Sequence, residues 1–467
     1  MRVAIITEGT YPTTLGGVSY WVHNLIDGMP DIEFVVVAIV PTKEPTIRFA
    51  KPPNLKEIIF VPVPHKLEEF SDIEKTDLVD EMVEEIIQFH KNIKNFKFVE
   101  AYKNLKKVYP IFLDNPMKIW RHKLLWKFLE EYYKKINPKT AFFKWLVSWK
   151  NTHAPLLSLL ATKMPEADVY HATNSGYPGL AALLGKILYG GRTLVTDHGL
   201  FIRELRIRIE ASLLDKIEKL LWIRTGVSIS IMNYHLFDLV TTVCEFNKRW
   251  VIENVGIPAE KIKVVYNGID TDYFRPLLVP RDPYLVGTIA RVYDIKNIKD
   301  FIKAAKYVVK RVPEAKFVVI GPVDDPVYWD ECNRLVEMLD LKEKFQFLGP
   351  TTNTLFWYNS ISVFVLSSAS EGFPLSTIEA MACGTPVIVT DVGGAGEAVG
   401  KCGFVVPPYN PRKLGEKIVW LLTHQKEREQ MGLCARERAV KYFSQKKFIR
   451  EFKKIYTTLA RKERVLA

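Results

Sequence analysis

The chain is predicted to be an α/β protein made of two successive doubly wound, Rossmann-like parallel-sheet domains facing each other across a cleft. Three observations carry this expectation. Short, wholly apolar runs such as Phe34 to Val40 (FVVVAIV) read as buried parallel strands, and amphipathic stretches separate them. The alternation starts twice, at Arg2 and again at Tyr284, on either side of a Pro-rich link at Phe274 to Pro283. A length of 467 residues is also too great for a single core. The expected division is a first domain over 1–275 and a second over 276–467, with the last helix packing back on the first domain.

Taken in order, RVAIIT (Arg2 to Thr7) is a strand, and TEGTYPTTLGG follows it as a loop. Val18 to Met29 reads as a helix, with Val18, Trp21, Val22, Leu25 and Ile26 on one face. Strands follow at Phe34 to Val40 and Ile58 to Val63. The opening lacks the G-x-G-x-x-G fingerprint, which disfavours a dinucleotide site. A helical segment at about 70–150 then interrupts the alternation and reads as an insertion. The pattern resumes with DVYHAT (Asp168 to Thr173), a helix over Tyr177 to Leu188, TLVTDHG (Thr193 to Gly199), a long helical region to about Phe237, DLVTTVCEF (Asp238 to Phe246) and KIKVVYNGID (Lys261 to Asp270). The second half runs through strands at Tyr284 to Ala290, Lys316 to Gly321, Lys344 to Gly349, Ser362 to Ser368, Pro386 to Asp391 and Cys402 to Pro408, and helices close it from about Pro411 to Tyr456.

The net charge of +12 is concentrated. Ile86 to Lys150 holds fifteen Lys or Arg against four acids, an excess of eleven, together with fifteen aromatics. One reading is a helical layer with aromatics inward and lysines in water. The other is a surface for an anionic membrane or a polyanionic acceptor, through residues 86–150. Nucleic acid has no motif behind it. No apolar run approaches the roughly 20 residues of a membrane span, and MRVAIIT leads into a strand rather than a signal peptide. Cys244, Cys332, Cys383, Cys402 and Cys434 lack metal or redox spacing, so they are expected to be reduced in a cytoplasmic protein.

The chemistry concentrates in SSASEGFPLSTIEAMACG, Ser367 to Gly384. An apolar strand feeds a Gly-Phe-Pro loop and then a helix expected to open at Ser376. Unpaired N–H groups at such a helix start make an anion site. Ser376 and Glu379 fit an S-x-x-E capping box, which alone would make Glu379 structural. Glu371 stands at a strand's C-terminal edge, where open α/β sheets bind ligands. His198 ends another strand at the corresponding edge of the first half. Asp270-Thr-Asp272 is formally a D-x-D metal motif, but it follows an Asn267-Gly268 turn and reads as turn chemistry.

Gly16-Gly17, Arg291 and Lys296, the Glu371/Glu379 pair and TDVGGAGEAV stand in the order of a known pattern. The chain resembles the retaining glycosyltransferases of family 4, which adopt the GT-B fold. ITEGTYPTTLGGVSYWVHNLI, TDHGLFIRE and VVYNGIDTDYF are most similar to the PelF-like exopolysaccharide glycosyltransferases. The resemblance implies that Arg291 and Lys296 bind the donor diphosphate and that Gly16 and Gly17 approach it through backbone N–H groups. Glu379 would bind the ribose, Glu371 the hydroxyls of the transferred sugar, and the Gly372, Phe373, Pro374 and Leu375 amides the sugar and phosphate. His198 would lie beside the reacting centre, while Glu204 reads better as a salt-bridge residue. The implied reaction is retaining, metal-independent and cofactor-free hexosyl transfer from a nucleotide sugar, UDP-glucose or a related UDP-hexose, to a glycan or lipid-linked acceptor. The alternatives are a GT-B epimerase and a non-catalytic membrane- or polyanion-binding subunit.

Overall fold

Arg2–Glu8 (β1) is buried from Val3 through Thr7 because it lies in the middle of a parallel sheet covered on both faces. The computed structural model describes residues 1–42, 44–63, 77–114, 119–136 and 139–464. Residues 1–242, 248–263 and 452–467 form one unit, and 243–247 with 264–451 form another.

In the first unit Gly17–Asp27 (α1) leads to Glu33–Val40 (β2) and Leu55–Pro62 (β3). Four helices follow, Asp77–Lys94 (α2), Phe98–Asp114 (α3), Lys123–Ile136 (α4) and Phe142–Leu160 (α5). Then come Val169–Ala172 (β4), Tyr177–Tyr189 (α6), Arg192–Asp197 (β5), Phe201–Ala211 (α7), Lys216–Leu236 (α8), Leu239–Thr242 (β6), Glu245–Val255 (α9) and Ile262–Val264 (β7). The sheet order is β3-β2-β1-β4-β5-β6-β7, so the chain reverses direction across the sheet between β1 and β4.

The second unit contains Leu285–Ile289 (β8), Ile298–Val309 (α10), Lys316–Ile320 (β9), Pro326–Met338 (α11), Phe345–Gly349 (β10), Thr354–Ser360 (α12) and Val363–Leu366 (β11). It continues with Leu375–Ala382 (α13), Val387–Thr390 (β12), Ala395–Val399 (α14), Phe404–Val406 (β13), Pro411–Thr423 (α15) and Gln425–Phe443 (α16), and Gln445–Arg464 (α17) starts in this unit and ends in the first. Its order, β10-β9-β8-β11-β12-β13, reverses between β8 and β11. One face of this sheet packs Phe301 of α10 edge-on against Phe317 and Phe345. The two doubly wound parallel sheets expected from the sequence are therefore present.

The described part of the inserted segment is mostly helical, as expected, and residues 70–76, 115–118 and 137–138 lie outside the described residues. Phe89, Tyr109, Phe112, Trp120, Trp145 and Trp149 are buried, so much of its aromatic content is core. Among the described residues no helix is long and apolar enough to cross a membrane. In α17, Phe452 and Tyr456 pack on Trp21, Phe34 and His171 of the first unit, to which residues 452–467 belong.

The cysteine expectation needs correction. Cys244, Cys332 and Cys383 are buried thiols outside any disulfide, but Cys402 and Cys434 form a disulfide with Cα atoms 5.3 Å apart. The two are 32 residues apart in sequence, so spacing gave no sign of the pairing. It arises because α16 passes beside the turn that enters β13.

Close packing gives the first unit a sensitive position. A Cβ added at Gly185 on α6 would lie 2.2 Å from the ring of Tyr170, which is fully buried and donates its hydroxyl to the Pro165 carbonyl at 2.9 Å. Gly185→Ala is expected to lose about 1–3 kcal/mol of stability through overpacking, as read by urea denaturation. An unchanged midpoint would show that Tyr170 yields freely.

Candidate functional site

In the second unit the site forms where the strand order reverses. The loop after β8 and the loop after β11 leave adjacent strands at their C-terminal ends and meet there. Lys296 closes a short 3-10 turn, Asp294–Lys296, and Asn297 then takes a left-handed conformation that starts α10. Lys296 Nζ reaches Glu371 Oε1 at 2.6 Å, and the Ser368 hydroxyl donates to the same oxygen at 2.5 Å. Both partners of the ion pair are largely buried. The loops are also fastened through backbone groups, since Ala369 N–H donates to the Ile295 carbonyl at 2.7 Å and the Ser367 hydroxyl to the Lys296 carbonyl at 3.0 Å.

Gly393 and Gly394 hold the other side of the Glu371 loop. Gly393 has φ +55°, and a Cβ there would fall 1.8 Å from the Glu371 carbonyl oxygen. Gly394 N–H donates to the Gly372 carbonyl at 2.8 Å, and the Cys244 thiol lies 3.6 Å from the same oxygen. Phe373 is buried against Tyr266 and Phe443. The Gly372 to Leu375 backbone is thus held over the start of α13.

That helix begins at Leu375 behind Pro374, with no side-chain cap, so the capping box expected at Ser376 does not form. Glu379 instead accepts the Tyr358 hydroxyl at 2.7 Å, and burial pushes its carboxyl up. The box fails because the Pro374 turn starts the helix one residue early and directs Glu379 inward.

Arg291 is held by a partner of its own. It is exposed, donates to Asp324 Oδ2 at 2.7 Å and lies 5.0 Å from the centroid of the Tyr293 ring. Asp270 and Asp272 serve turn and ion-pair roles. Asp270 Oδ1 accepts the Asp272 and Tyr273 N–H groups at 2.9 and 3.0 Å, while Asp272 pairs with Lys446 at 2.7 Å. Glu397, unremarked by sequence reasoning, accepts the Glu245 N–H at 2.9 Å and the Tyr266 hydroxyl at 2.5 Å.

In the first unit, Gly16 precedes α1 with extended backbone, and a Cβ there would meet nothing within 4 Å. His198 follows β5. Its Nε2 has no hydrogen-bond partner among the described residues, its ring meets Trp21 edge-on at 4.5 Å, and burial pushes its pKa down to about 3. The residue before it explains its fixed position. Asp197 is buried and accepts the Ser175 and Phe201 backbone N–H groups and the Tyr234 hydroxyl, which ties three elements to one carboxylate. Burial, reinforced by the nearby Glu204 charge, pushes the Asp197 carboxyl up. Glu204 occupies the space above Gly199, where a Cβ would fall 1.8 Å from its Oε1. At the end of β1, burial pushes the Glu8 carboxyl up, opposed by the Arg208 charge and a hydrogen bond from Asn174. The signal that could have found Asp197 is its place beside His198 at a strand end.

Two doubly wound parallel sheets, each reversing its strand order, define a protein of the GT-B class. The chain belongs to the family described as "Domain of unknown function (DUF3492)", which matches residues 1–258, and residues 270–438 match "Glycosyl transferases group 1". The capsular polysaccharide biosynthesis glycosyltransferase CapM of Staphylococcus aureus is 30% identical over 205 residues, 44% of this chain and 53% of that protein. The chain spans about half the length of such relatives. Among solved structures, sucrose-phosphate synthase from Thermosynechococcus elongatus shares the fold with a TM-score of 0.65 at 17% identity, over 98% of each chain. Anabaena HepE in complex with UDP-glucose does so with a TM-score of 0.61 at 14% identity, over 98% of this chain and 100% of that one.

The buried histidine has a consequence for pH dependence. Folded His198 stays neutral down to about pH 3, whereas the unfolded chain takes up the proton near 6.5. Its contribution to stability is therefore complete above about 6.5 and declines as pH falls toward the folded value. Relative to His198→Gln, the wild type should lose up to about 2 kcal/mol of unfolding free energy between pH 7 and pH 5. Urea titrations at both pH values measure this, and a difference between the two proteins that does not vary with pH would show that His198 titrates normally.

Proposed function

We propose that this protein is a retaining glycosyltransferase of the PelF-like type. It would move a hexose from a nucleotide sugar, UDP-glucose or a related UDP-hexose, to a glycan or lipid-linked acceptor in the cytoplasm. The observation that carries the reading is the buried Lys296–Glu371 pair at the β8/β11 reversal. A carboxylate and an ammonium held there give one group for sugar hydroxyls and one for a diphosphate. The group 1 match over 270–438, the named activity of CapM and the UDP-glucose bound to HepE support the same chemistry.

In this reading Lys296 binds the donor diphosphate and stabilises the charge that grows on the leaving phosphate. Arg291 adds to the positive field nearby, so no metal and no cofactor is required. Glu371 orients the transferred sugar, Glu379 takes the ribose, and the Gly372 to Leu375 amides meet the sugar and phosphate. The leaving phosphate itself helps deprotonate the acceptor hydroxyl on the face from which it departs. On the first unit, Gly16 and Gly17 take the donor phosphates and His198 the reacting sugar. The open space around Gly16 supports a role for its missing side chain, because neither φ nor packing within the chain demands glycine there. A neutral His198 offers a hydrogen bond rather than a charge.

Calorimetry with a panel of UDP-, GDP- and ADP-hexoses tests the proposal. A UDP-hexose is expected to bind, and Lys296→Ala to weaken it by about 1.5–3 kcal/mol, the range for hydrogen bonds to charged groups. Arg291→Ala should cost less, since Asp324 already holds that guanidinium in an exposed pair. Glu371→Gln should weaken the UDP-hexose but not UDP itself. If no nucleotide sugar bound, or if Lys296→Ala bound the donor as tightly as the wild type, the reading would fail.

A further inference from the structure

The first unit also carries a surface of a different character. The α7–α8 turn presents Leu213 fully exposed, and Ile207 on α7 and Leu220 on α8 are exposed on the two helices that it joins. Asp215, which caps α8, pairs with Lys144 at 2.8 Å and so joins this turn to the start of α5. On α5, Phe143 is 76% exposed, and Val147, one turn on, is exposed as well. Trp126 of α4, whose ring lies 6.1 Å from that of Phe142, continues the exposed apolar set. Large apolar side chains therefore stand in water on four neighbouring helices of one unit.

The charges around them have one sign in excess. Residues 119–150 and 201–224 together contain fourteen Lys or Arg against six Asp or Glu. Arg203, Arg206, Lys216, Lys127 and Lys144 are exposed among the apolar residues. Leu278 and Met338, elsewhere in the chain, are exposed to a similar degree. A polyanion in water would use the cations and gain nothing from Leu213, Val147 or Ile207. A lipid surface uses both, because the aliphatic and aromatic side chains enter the acyl boundary while lysine and arginine stems lie along it with their heads at the phosphates.

We infer that the α7–α8 turn with the exposed side of α4 and α5 is a docking surface for an anionic lipid bilayer, with Leu213 and Phe143 as the inserting side chains. This goes beyond the transfer reaction and is tested without any donor. The basic, aromatic segment supplies only part of the surface, since most of its buried rings are unavailable, and α7–α8 supplies the rest.

The test is flotation of the full chain with phosphatidylcholine vesicles, with and without phosphatidylglycerol. The protein should rise with the anionic vesicles and remain behind with the neutral ones, and added salt should weaken the association. Leu213→Asp combined with Phe143→Asp should reduce flotation by about tenfold, while Leu278→Asp combined with Met338→Asp, equally polar changes elsewhere, should leave it intact. Nucleotide-sugar binding by the Leu213→Asp, Phe143→Asp protein should be unchanged, which shows it folded. Absence of flotation with anionic vesicles would overturn the inference. So would binding to heparin and vesicles alike that the paired aspartates do not diminish, because that pattern belongs to a polyanion site.

Discussion

The second unit depends on one buried ion pair. Lys296 and Glu371 lie 75 residues apart in sequence and meet because strand order reverses between β8 and β11. Two mostly buried charges gain little net stability from each other, since desolvation offsets much of their attraction. Their value lies in position. With Ser368 on the same carboxylate oxygen and backbone bonds between the loops, neither charge can relax toward water independently. A diphosphate arriving at Lys296 would compete with Glu371, and a sugar at Glu371 would compete with Lys296.

The neighbouring glycines serve that geometry. Gly393 has a positive φ and touches the Glu371 carbonyl, and Gly394 bonds the next carbonyl along, so the loop that carries Glu371 is braced from the β12 side. A side chain at either position would push this loop away from Lys296. Gly16 contrasts with them, because its surroundings are open and its backbone is extended. The first pair is explained by the protein's own packing, whereas neither packing nor φ accounts for a glycine at position 16.

Much of this was legible from residues alone. Wholly apolar runs marked the strands of both sheets, and the strand-end positions of Glu371 and His198 followed from their place after such runs. The capping box was misread because the Ser376-to-Glu379 spacing also fits a helix that starts one residue earlier, where Pro374 settles the start and Tyr358 captures the glutamate. The Cys402–Cys434 bond was missed for a similar reason, as it depends on which helix passes the entry to β13. Asp197 was overlooked because its three donors come from Ser175, Phe201 and Tyr234, and nothing local in the sequence assembles them. Periodicity reports which face of an element is buried, but it does not report which distant element covers that face.

The two units solve the problem of polar groups at a sheet edge in opposite ways. In the second, charge is kept and paired, as Lys296 is with Glu371. In the first, burial favours neutral forms. His198 and His171 have pKa values pushed down to about 3, and the carboxyls of Glu8 and Asp197 are pushed up. His171 is satisfied on both nitrogens, by the Tyr456 and Thr196 hydroxyls at 2.7 Å each, so its neutrality is part of the core. His198 has an Nε2 without such a partner among the described residues, although it lies close enough to His171 to affect that ring. Two histidines in the same neutral state thus differ in one respect. The first is fully bonded and belongs to the core, whereas the second keeps one ring nitrogen without a hydrogen-bond partner among the described residues.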